Sequence, residues 1–107
     1  MGSGKGLAVY MYKISNEGKL AKDFGLKDQM RRSAVSISSN IAEGEQLDSD
    51  KQSTRHLYIA RGSAAELRSQ SIIAHEIGYL TQNQLDYFES ETDTINAMLT
   101  RLIKHRN

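Results

Sequence analysis

Cysteine and proline are both absent from the 107-residue chain. Without cysteine the protein can form neither a disulfide scaffold nor a cysteine-based zinc site. An average protein contains about 5% proline, and the absence of proline removes the strongest helix breaker. Because a chain of this length can bury one hydrophobic core without cross-links, we expect a single, all-helical domain.

Long apolar runs and a strong net charge are missing as well. No run approaches the roughly 18 apolar residues of a membrane span, and no signal-peptide pattern opens the chain. These absences predict a soluble, cytoplasmic protein with no membrane partner. The formal net charge of +1 is too small to indicate a nucleic-acid partner by itself.

Motifs for catalysis and for metal binding are not found either. The segment GSGKG near the start has the glycines of a phosphate-binding loop, but no strand precedes it and no serine or threonine follows Lys5. None of the three histidines has a glutamate three residues before it, so the Glu-x-x-His ligand motif of di-iron bundles is absent. We therefore predict no enzymatic activity, no catalytic residues, no cofactor and no metal site.

Four amphipathic segments are predicted to form helices, because their apolar residues recur with the period of an α-helix. Short connections make successive helices antiparallel neighbours, so the predicted fold is an all-α, antiparallel up-down four-helix bundle. Residues 1–6 are expected to be a cloning remnant or a disordered terminus, and residues 7–107 the single bundle domain. The predicted helices lie at about residues 7–21, 27–43 and 50–78, and the fourth begins at Thr81 and carries its apolar seam to Leu102.

Residues that commonly cap helices mark several of the predicted ends. Gly44 is expected to stop the second helix, since glycine is the preferred residue just after a helix C-terminus. Ser49 with Gln52 and Thr81 with Gln84 match the capping-box pattern and are expected to begin the third and fourth helices.

Helical periodicity also selects the positions that should face the core. In the third helix two stripes are expected to be buried, and in the fourth a single seam with alternating spacings of three and four. The expected core positions are Tyr10, Ile14 and Ala21; Met30, Ala34, Ile37 and Ile41, widened by Val35 and Ala42; Leu57, Ala60, Ala64, Leu67, Ser71 and Ala74, with Ile59, Ser63, Ile73 and Ile77 as the second stripe; and Leu85, Phe88, Thr92, Ile95, Leu99 and Leu102.

The second helix carries an unusual polar stripe of short side chains, Ser33, Ser36 and Asn40. One interpretation is a solvated face, although solvated helix faces usually carry Glu, Lys and Gln. The other is a seam where a second backbone comes close and Asn40 forms a hydrogen bond with a neighbouring carbonyl group. Ser and Asn are unfavourable in the middle of a helix, so a hydrogen-bond partner would explain their presence. The sequence leaves both interpretations open.

The outer face of the third helix is not conventionally polar. Tyr58, Ala65 and Ile72 recur there at heptad spacing, beside Arg61 and Arg68. An apolar stripe flanked by arginines is typical of an interface, and we predict that it mediates oligomerisation. Interleaved aromatic residues and arginines also suit RNA, but an isoleucine has no use in phosphate binding.

Two adjacent arginines of the second helix are expected to play different roles. Arg31 lies on the line continued by Val35 and Ala42, which favours a structural pairing with Glu66 of the third helix. Arg32 points outward with the short-chain stripe, where a phosphate group or an acidic partner could approach it.

Three motifs resemble those of the small bacterial four-helix bundle family named for proteins encoded in intervening sequences of large-subunit ribosomal RNA genes. They are QMRRSA at 29–34, NIAEG at 40–44 and IARGSAAE at 59–66, and the resemblance extends over about residues 7–104. The chain is also similar to the accessory variability determinant of diversity-generating retroelements. It departs from the family at Ser38, where proline is common. Motif positions interpreted as structural are Arg31, Asn40, Gly44, Gly62 and Glu66.

The resemblance implies a homopentameric barrel of four-helix protomers. For the retroelement relatives it also implies binding of a reverse transcriptase and of nucleic acid, RNA or DNA, through a basic surface. On this chain the candidate binding residues are Arg32, Arg61 and Arg68. Two hypotheses result: an oligomeric adaptor that binds nucleic acid, a protein or both, and a purely structural homo-oligomer with no nucleic-acid ligand.

Overall fold

The computed structural model describes residues 4–46 and 50–106, and within them the regular structure consists of five α-helices and no strand. The all-α fold class is therefore confirmed. The helices are α1 (Lys5–Ile14), α2 (Gly18–Lys22), α3 (Phe24–Gln46), α4 (Asp50–Glu76) and α5 (Gln82–Arg106).

The first predicted helix is divided into α1 and α2. A turn follows Ile14, and α2 resumes at Gly18, whose φ of +66° lies in the left-handed region that a residue with a Cβ rarely adopts. α1 also begins earlier than predicted, at Lys5, so Lys5 and Gly6 are helical rather than disordered. Gly4 is in contact with α3, because a Cβ built on it would lie 3.0 Å from a methyl carbon of Ile37.

The prediction that Gly44 caps the second helix is wrong, because α3 continues through it to Gln46. Gly44 is buried against α4 instead. A Cβ there would lie 3.0 Å from Cδ2 of Leu57 and 3.2 Å from the carbonyl oxygen of Ser53, whose hydroxyl group donates to the Gly44 carbonyl at 2.5 Å. The glycine therefore permits close approach of two helices rather than a change of chain direction.

A matched pair of glycine substitutions tests this packing role. Gly62 lies on the exposed side of α4 with no atom near its missing Cβ, so Gly62→Ala should stabilise the protein by about 1 kcal/mol through helix propensity. Gly44→Ala gains the same propensity but overpacks the α3–α4 contact, and it should be destabilising by about 1 kcal/mol or more. Urea unfolding at one fixed protein concentration measures both; equal stabilisation by the two substitutions would contradict the packing role.

Both ends of the connection between α4 and α5 are closed by local hydrogen bonds. At the end of α4 the amide of Tyr79 donates to the carbonyl of Ala74, and Gly78 adopts a φ of +86°, the arrangement of a Schellman cap. At the start of α5 the Thr81 amide donates to Oε1 of Gln84 at 2.9 Å, and the Gln84 amide donates to Oγ1 of Thr81 at 3.2 Å. The predicted Thr81–Gln84 capping box is thus confirmed. Ser49 of the other predicted box lies outside the described residues.

The helices pack as a four-cornered bundle in which α1 and α2 together occupy one corner. α3 packs on α1, α2 and α4, and α4 packs on α5. The Tyr10 ring closes the bundle between α1 and α5, with its centroid 4.0 Å from that of Tyr87 and 5.5 Å from that of Phe88. Because α3 and α5 each contact both α1 and α4, α1 and α4 lie at diagonal corners of the bundle. The described residues form a body of 43 × 20 × 18 Å, elongated along the helices.

The core confirms the central stripe predicted on α3, the first of the two stripes predicted on α4 and most of the seam on α5. Met30, Ala34, Ile37 and Ile41 are fully buried, as are the positions of the first α4 stripe from Leu57 to Ala74. On α5, Ile103 is buried at the end of the seam where Leu102 was expected, and Leu102 is only partly buried. On α1 and α2 the fully buried residues are Leu7, Met11 and Leu20 rather than the predicted stripe.

The wider apolar faces predicted for α3 and α4 are wrong. Val35 and Ala42 are exposed, and on α4 so are Ile59, Ile73 and Ile77, whereas Ser63 of the same stripe is buried. α4 buries only the sides that meet α3 and α5 and its inward face between them. Its remaining isoleucines face away from the bundle.

Candidate interaction surfaces

The short polar side chains of α3 form a seam against α4. Oγ of Ser36 lies 2.8 Å from Oγ of Ser63, and Oδ1 of Asn40 lies 2.8 Å from Nδ1 of His56. The Asn40 amide nitrogen donates to the Ser36 carbonyl at 2.9 Å, so its carbonyl partner belongs to its own helix rather than to a neighbouring one. Of the two interpretations left open by the sequence, the seam describes this stripe.

Arg31 joins α3 to the end of α1, and the pairing predicted with Glu66 is wrong. Its Nε donates to Oγ of Ser15 at 2.7 Å, and its Nη2 donates to Oδ1 of Asn16 at 2.9 Å. The guanidinium carbon lies 4.4 Å from the centroid of the Tyr12 ring. Glu66 is exposed on α4. Arg31 is thus placed as a structural residue that holds the turn after α1.

Exposed apolar side chains recur along the outward surface of α4, among exposed polar residues such as Arg55 and Glu66, and we call this surface the α4 face. Tyr58, Ile59, Ile73 and Ile77 retain between 44% and 51% of their accessible surface. Ala65 is exposed and Ile72 is half-buried, so the three predicted interface residues belong to the same surface. The α4 face consists of Tyr58, Ile59, Ala65, Ile72, Ile73 and Ile77.

A second, smaller apolar surface lies where α1 packs on α3. It consists of Val9 and Tyr12 of α1 and Val35 of α3, which are exposed by 40–45%, and we call it the α1–α3 patch. Val9 and Tyr12 line a shallow groove of about 290 Å³, and Tyr12 and Val35 line a neighbouring one of about 420 Å³. The sequence did not indicate this patch, because its residues come from two helices that only the fold brings together.

The three arginines proposed for nucleic-acid binding do not share one free basic surface. Arg68 pairs with two acids of α5, at 3.0 Å from Oδ1 of Asp93 and 3.5 Å from Oε2 of Glu89. Arg61 also turns towards α5, donating to Oγ1 of Thr100 at 3.3 Å, and lies over the Tyr58 ring. Arg32 is on α3 and pairs with Asp28 of its own helix at 2.9 Å.

A corner between α2 and α3 carries an exposed aromatic ring among lysines, and sequence reasoning missed it. Phe24 retains 73% of its accessible surface. Lys19 and Lys22 line the same cleft, and Nζ of Lys27 lies 4.6 Å from the centroid of the Phe24 ring. We call this the Phe24 corner. The signal available in the sequence was the segment KLAKDFGLK, in which three lysines surround one aromatic residue.

Neither a metal site nor a membrane span is found in the described part of the chain. No group of three or more His, Asp or Glu side chains within residues 4–46 and 50–106 is placed to hold a metal ion. None of the described helices combines the length and the hydropathy that crossing a membrane requires.

Comparison with known proteins places these surfaces on a known type of fold. A family model described as 23S rRNA-intervening sequence protein matches residues 3–101. A crystal structure from Bacteroides thetaiotaomicron, described as a protein with unknown function from the S23 ribosomal protein family, superimposes with a TM-score of 0.86 and is 28% identical over 95% of each chain. No functionally curated protein matches the chain. The resemblance of the sequence motifs to the intervening-sequence protein family is confirmed.

Proposed function

The chain belongs to the 23S rRNA-intervening sequence protein family, and we propose that it is a non-enzymatic adaptor that assembles with copies of itself through the α4 face. The observation that carries the proposal is the exposure of this face. Large apolar side chains that are exposed together and rimmed by polar residues often mark contacts with another protein.

The energetic argument follows from the exposed fractions. Fully burying an isoleucine contributes about 1.5–3 kcal/mol, so covering the exposed half of each isoleucine on the α4 face contributes roughly 1 kcal/mol. Ile59, Ile73 and Ile77 are each exposed by about half in the isolated chain. A partner that covered them together with Tyr58 would gain several such contributions, which must exceed the cost of association.

The position of a second apolar surface favours a cyclic assembly. The α4 face and the α1–α3 patch share no residue and lie on different sides of the bundle, so one copy can place its α4 face on the α1–α3 patch of the next. Contacts between two different surfaces are heterologous, and they generate closed rings when the rotation between copies closes. This supports the homopentameric barrel that the family resemblance implied, as part of the same proposal.

The partner of the assembly is the second half of the proposal. The resemblance implied nucleic acid, or a protein such as a reverse transcriptase, bound through a basic surface that includes Arg32, Arg61 and Arg68. In a ring each arginine would recur once per copy around the circumference, so a modest positive charge per chain would become a broader basic surface. Because Arg61 and Arg68 already contact α5 and Arg32 pairs with Asp28, the alternative of a structural assembly without nucleic acid stays open.

Ile72→Glu is expected to dissociate the assembly while the protein stays helical, because each contact would then bury an unpaired carboxylate. Ile73→Glu, at a more exposed position, should do the same with less risk to the fold. Light scattering gives the mass and circular dichroism the helicity. Ala97→Glu adds the same charge on the exposed side of α5 and is the matched control. Masses unchanged in both isoleucine variants would contradict the assignment of the α4 face.

A further inference from the structure

The Phe24 corner presents one face of an aromatic ring to solvent. Phe24 is the first residue of α3 and is the most exposed large apolar side chain among the described residues. Nζ of Lys27 donates to the Ala21 carbonyl at 3.1 Å and lies over one face of the Phe24 ring. The lysine thus links the end of α2 to the ring, and the high exposure of Phe24 leaves the rest of the ring accessible.

The cleft beside the ring is basic. It has a volume of about 650 Å³ and is lined by Lys19, Lys22, Asp23, Phe24, Gly25 and Tyr79. The one acid, Asp23, is already engaged: its Oδ1 accepts from the Leu26 amide and its Oδ2 from the Tyr79 hydroxyl, both at 3.1 Å. The hydrogen bond to Asp23 raises the pKa of the Tyr79 hydroxyl, because the bond stabilises its protonated, donating form. Lys19 and Lys22 are both exposed.

We propose that the Phe24 corner binds single-stranded nucleic acid, with an unpaired base stacked on Phe24 and the adjoining phosphates on Lys19 and Lys22. Stacking on an aromatic side chain and neutralisation of phosphates by basic residues are the two contributions by which proteins bind single strands without sequence preference. The corner provides both within one cleft. A duplex hides the faces of its bases in the stack, so the ring selects unpaired nucleotides.

Nucleic acid fits this corner better than a protein partner does. Protein–protein interfaces are enriched in aromatic residues but depleted in lysine. Phe24 has lysines as its neighbours on α2 and α3, whereas the tyrosine of the α4 face has isoleucines. The corner also differs from the arginines considered above, because no salt bridge in the described part of the chain involves Lys19, Lys22 or Lys27.

The site belongs to each protomer and does not depend on self-association. The Phe24 corner lies at the end of the bundle where α2 meets α3, near the connection that carries Tyr79, and it shares no residue with the α4 face. Assembly into a ring would repeat the corner and raise the avidity for a long strand, since linked sites bind at a high effective concentration.

Fluorescence anisotropy with a labelled oligouridylate of about 12 nucleotides tests the aromatic contribution. Phe24→Leu keeps an apolar side chain but removes the ring, and it should weaken binding about 10-fold, within the range found when a stacking side chain is removed. Phe24→Tyr keeps a ring and should bind as the wild type does. The exposure of Phe24 makes both variants safe for the fold, which circular dichroism verifies.

The salt dependence tests the lysines. Each phosphate contact on a single strand contributes about 0.7 to the slope of log K against log salt, so Lys19→Gln with Lys22→Gln should reduce the slope by about 1.4. The matched control is Lys51→Gln with Lys104→Gln, which removes the same charge at the opposite end of the bundle. The control should leave the slope unchanged, because its lysines lie outside the cleft.

Equal affinities for the wild type and Phe24→Leu, or equal slopes for the two lysine pairs, would overturn the proposal. Equal binding of a duplex would show a purely electrostatic surface and would overturn it as well. Displacement of the oligouridylate from the wild type by a polyglutamate peptide of equal charge, as strong as displacement by unlabelled oligouridylate, would assign the corner to an acidic protein partner instead. Light scattering on the same variants tests self-association separately. A monomer that still binds the oligouridylate through Phe24 would contradict the proposed self-association but not the binding site at the Phe24 corner.

Discussion

Replacing Ala64 by leucine should destabilise the bundle by about 1–3 kcal/mol, because it adds side-chain volume where α4 packs against α5. Ala64 is 1% exposed, in the middle of the buried stripe of α4. It lies beside Thr92 of α5, which is also buried and donates to the Phe88 carbonyl at 2.7 Å. A leucine in this position must displace α5 or turn into the groove of about 170 Å³ that Ala64 and Thr92 line between the two helices, and turning into the groove would place the effect at the lower end of the range.

Ala65→Leu is the matched control for this overpacking. Ala65 is the next residue of the same helix but is exposed, so a leucine there should change the free energy of unfolding by no more than about 0.5 kcal/mol. Urea unfolding followed by circular dichroism measures both variants. Equal stabilities of Ala64→Leu and the wild type would mean that α4 is rotated relative to the orientation described above.

Arg31→Ala should lower the free energy of unfolding by about 1–2 kcal/mol, since hydrogen bonds from charged groups contribute more than neutral ones. The substitution removes the bonds to Ser15 and Asn16 and the contact with the Tyr12 ring. Ser15 is fully buried, so water cannot readily replace the guanidinium at its hydroxyl oxygen. The turn that separates α1 from α2 would then lose its hydrogen bonds to Arg31 of α3.

Arg32→Ala provides the control for the loss of a positive charge on α3. Its side chain is 76% exposed and forms an ion pair with Asp28 one turn earlier. Such a pair on a helix surface contributes about 0.3–0.5 kcal/mol to the free energy of unfolding. Thermal unfolding of the two variants side by side should show a clear loss of stability for Arg31→Ala alone. The opposite order would mean that the hydrogen bonds of Arg31 do not hold the turn.

Periodicity was enough to predict the interior of the long helices, because a core face repeats at every turn and averages over many residues. Met30, Ala34, Ile37 and Ile41 illustrate this on α3. Single positions were harder. A glycine that ends a helix and a glycine that admits a neighbouring helix look the same in sequence, and only contact with Ser53 and Leu57 identifies Gly44 as the second kind.

Partners distant along the chain could not be inferred from spacing. The expected acid for Arg31 was Glu66, but the guanidinium instead contacts the turn after α1. That turn exists because Gly18 interrupts the first predicted helix, and the sequence pattern continued straight through it. The position of Arg31 beside the turn therefore depends on a break that periodicity does not detect.

The extra apolar stripe of α4 was predicted to be core because apolar residues cover more of this helix than a single bundle can bury. Ile59, Ile73 and Ile77 are exposed in the isolated chain. A second surface that covers them would give their presence a physical reason. The disagreement between the pattern and the fold is thus the main support for self-association.

The mass of the wild-type protein in solution tests the central claim most directly. Light scattering at micromolar concentration should give a multiple of the 12.0 kDa chain mass for the wild type and Ala97→Glu, and the mass of a single chain for Ile72→Glu. A wild-type mass of 12.0 kDa across the micromolar range would contradict the account, because the α4 face would then stay exposed to water.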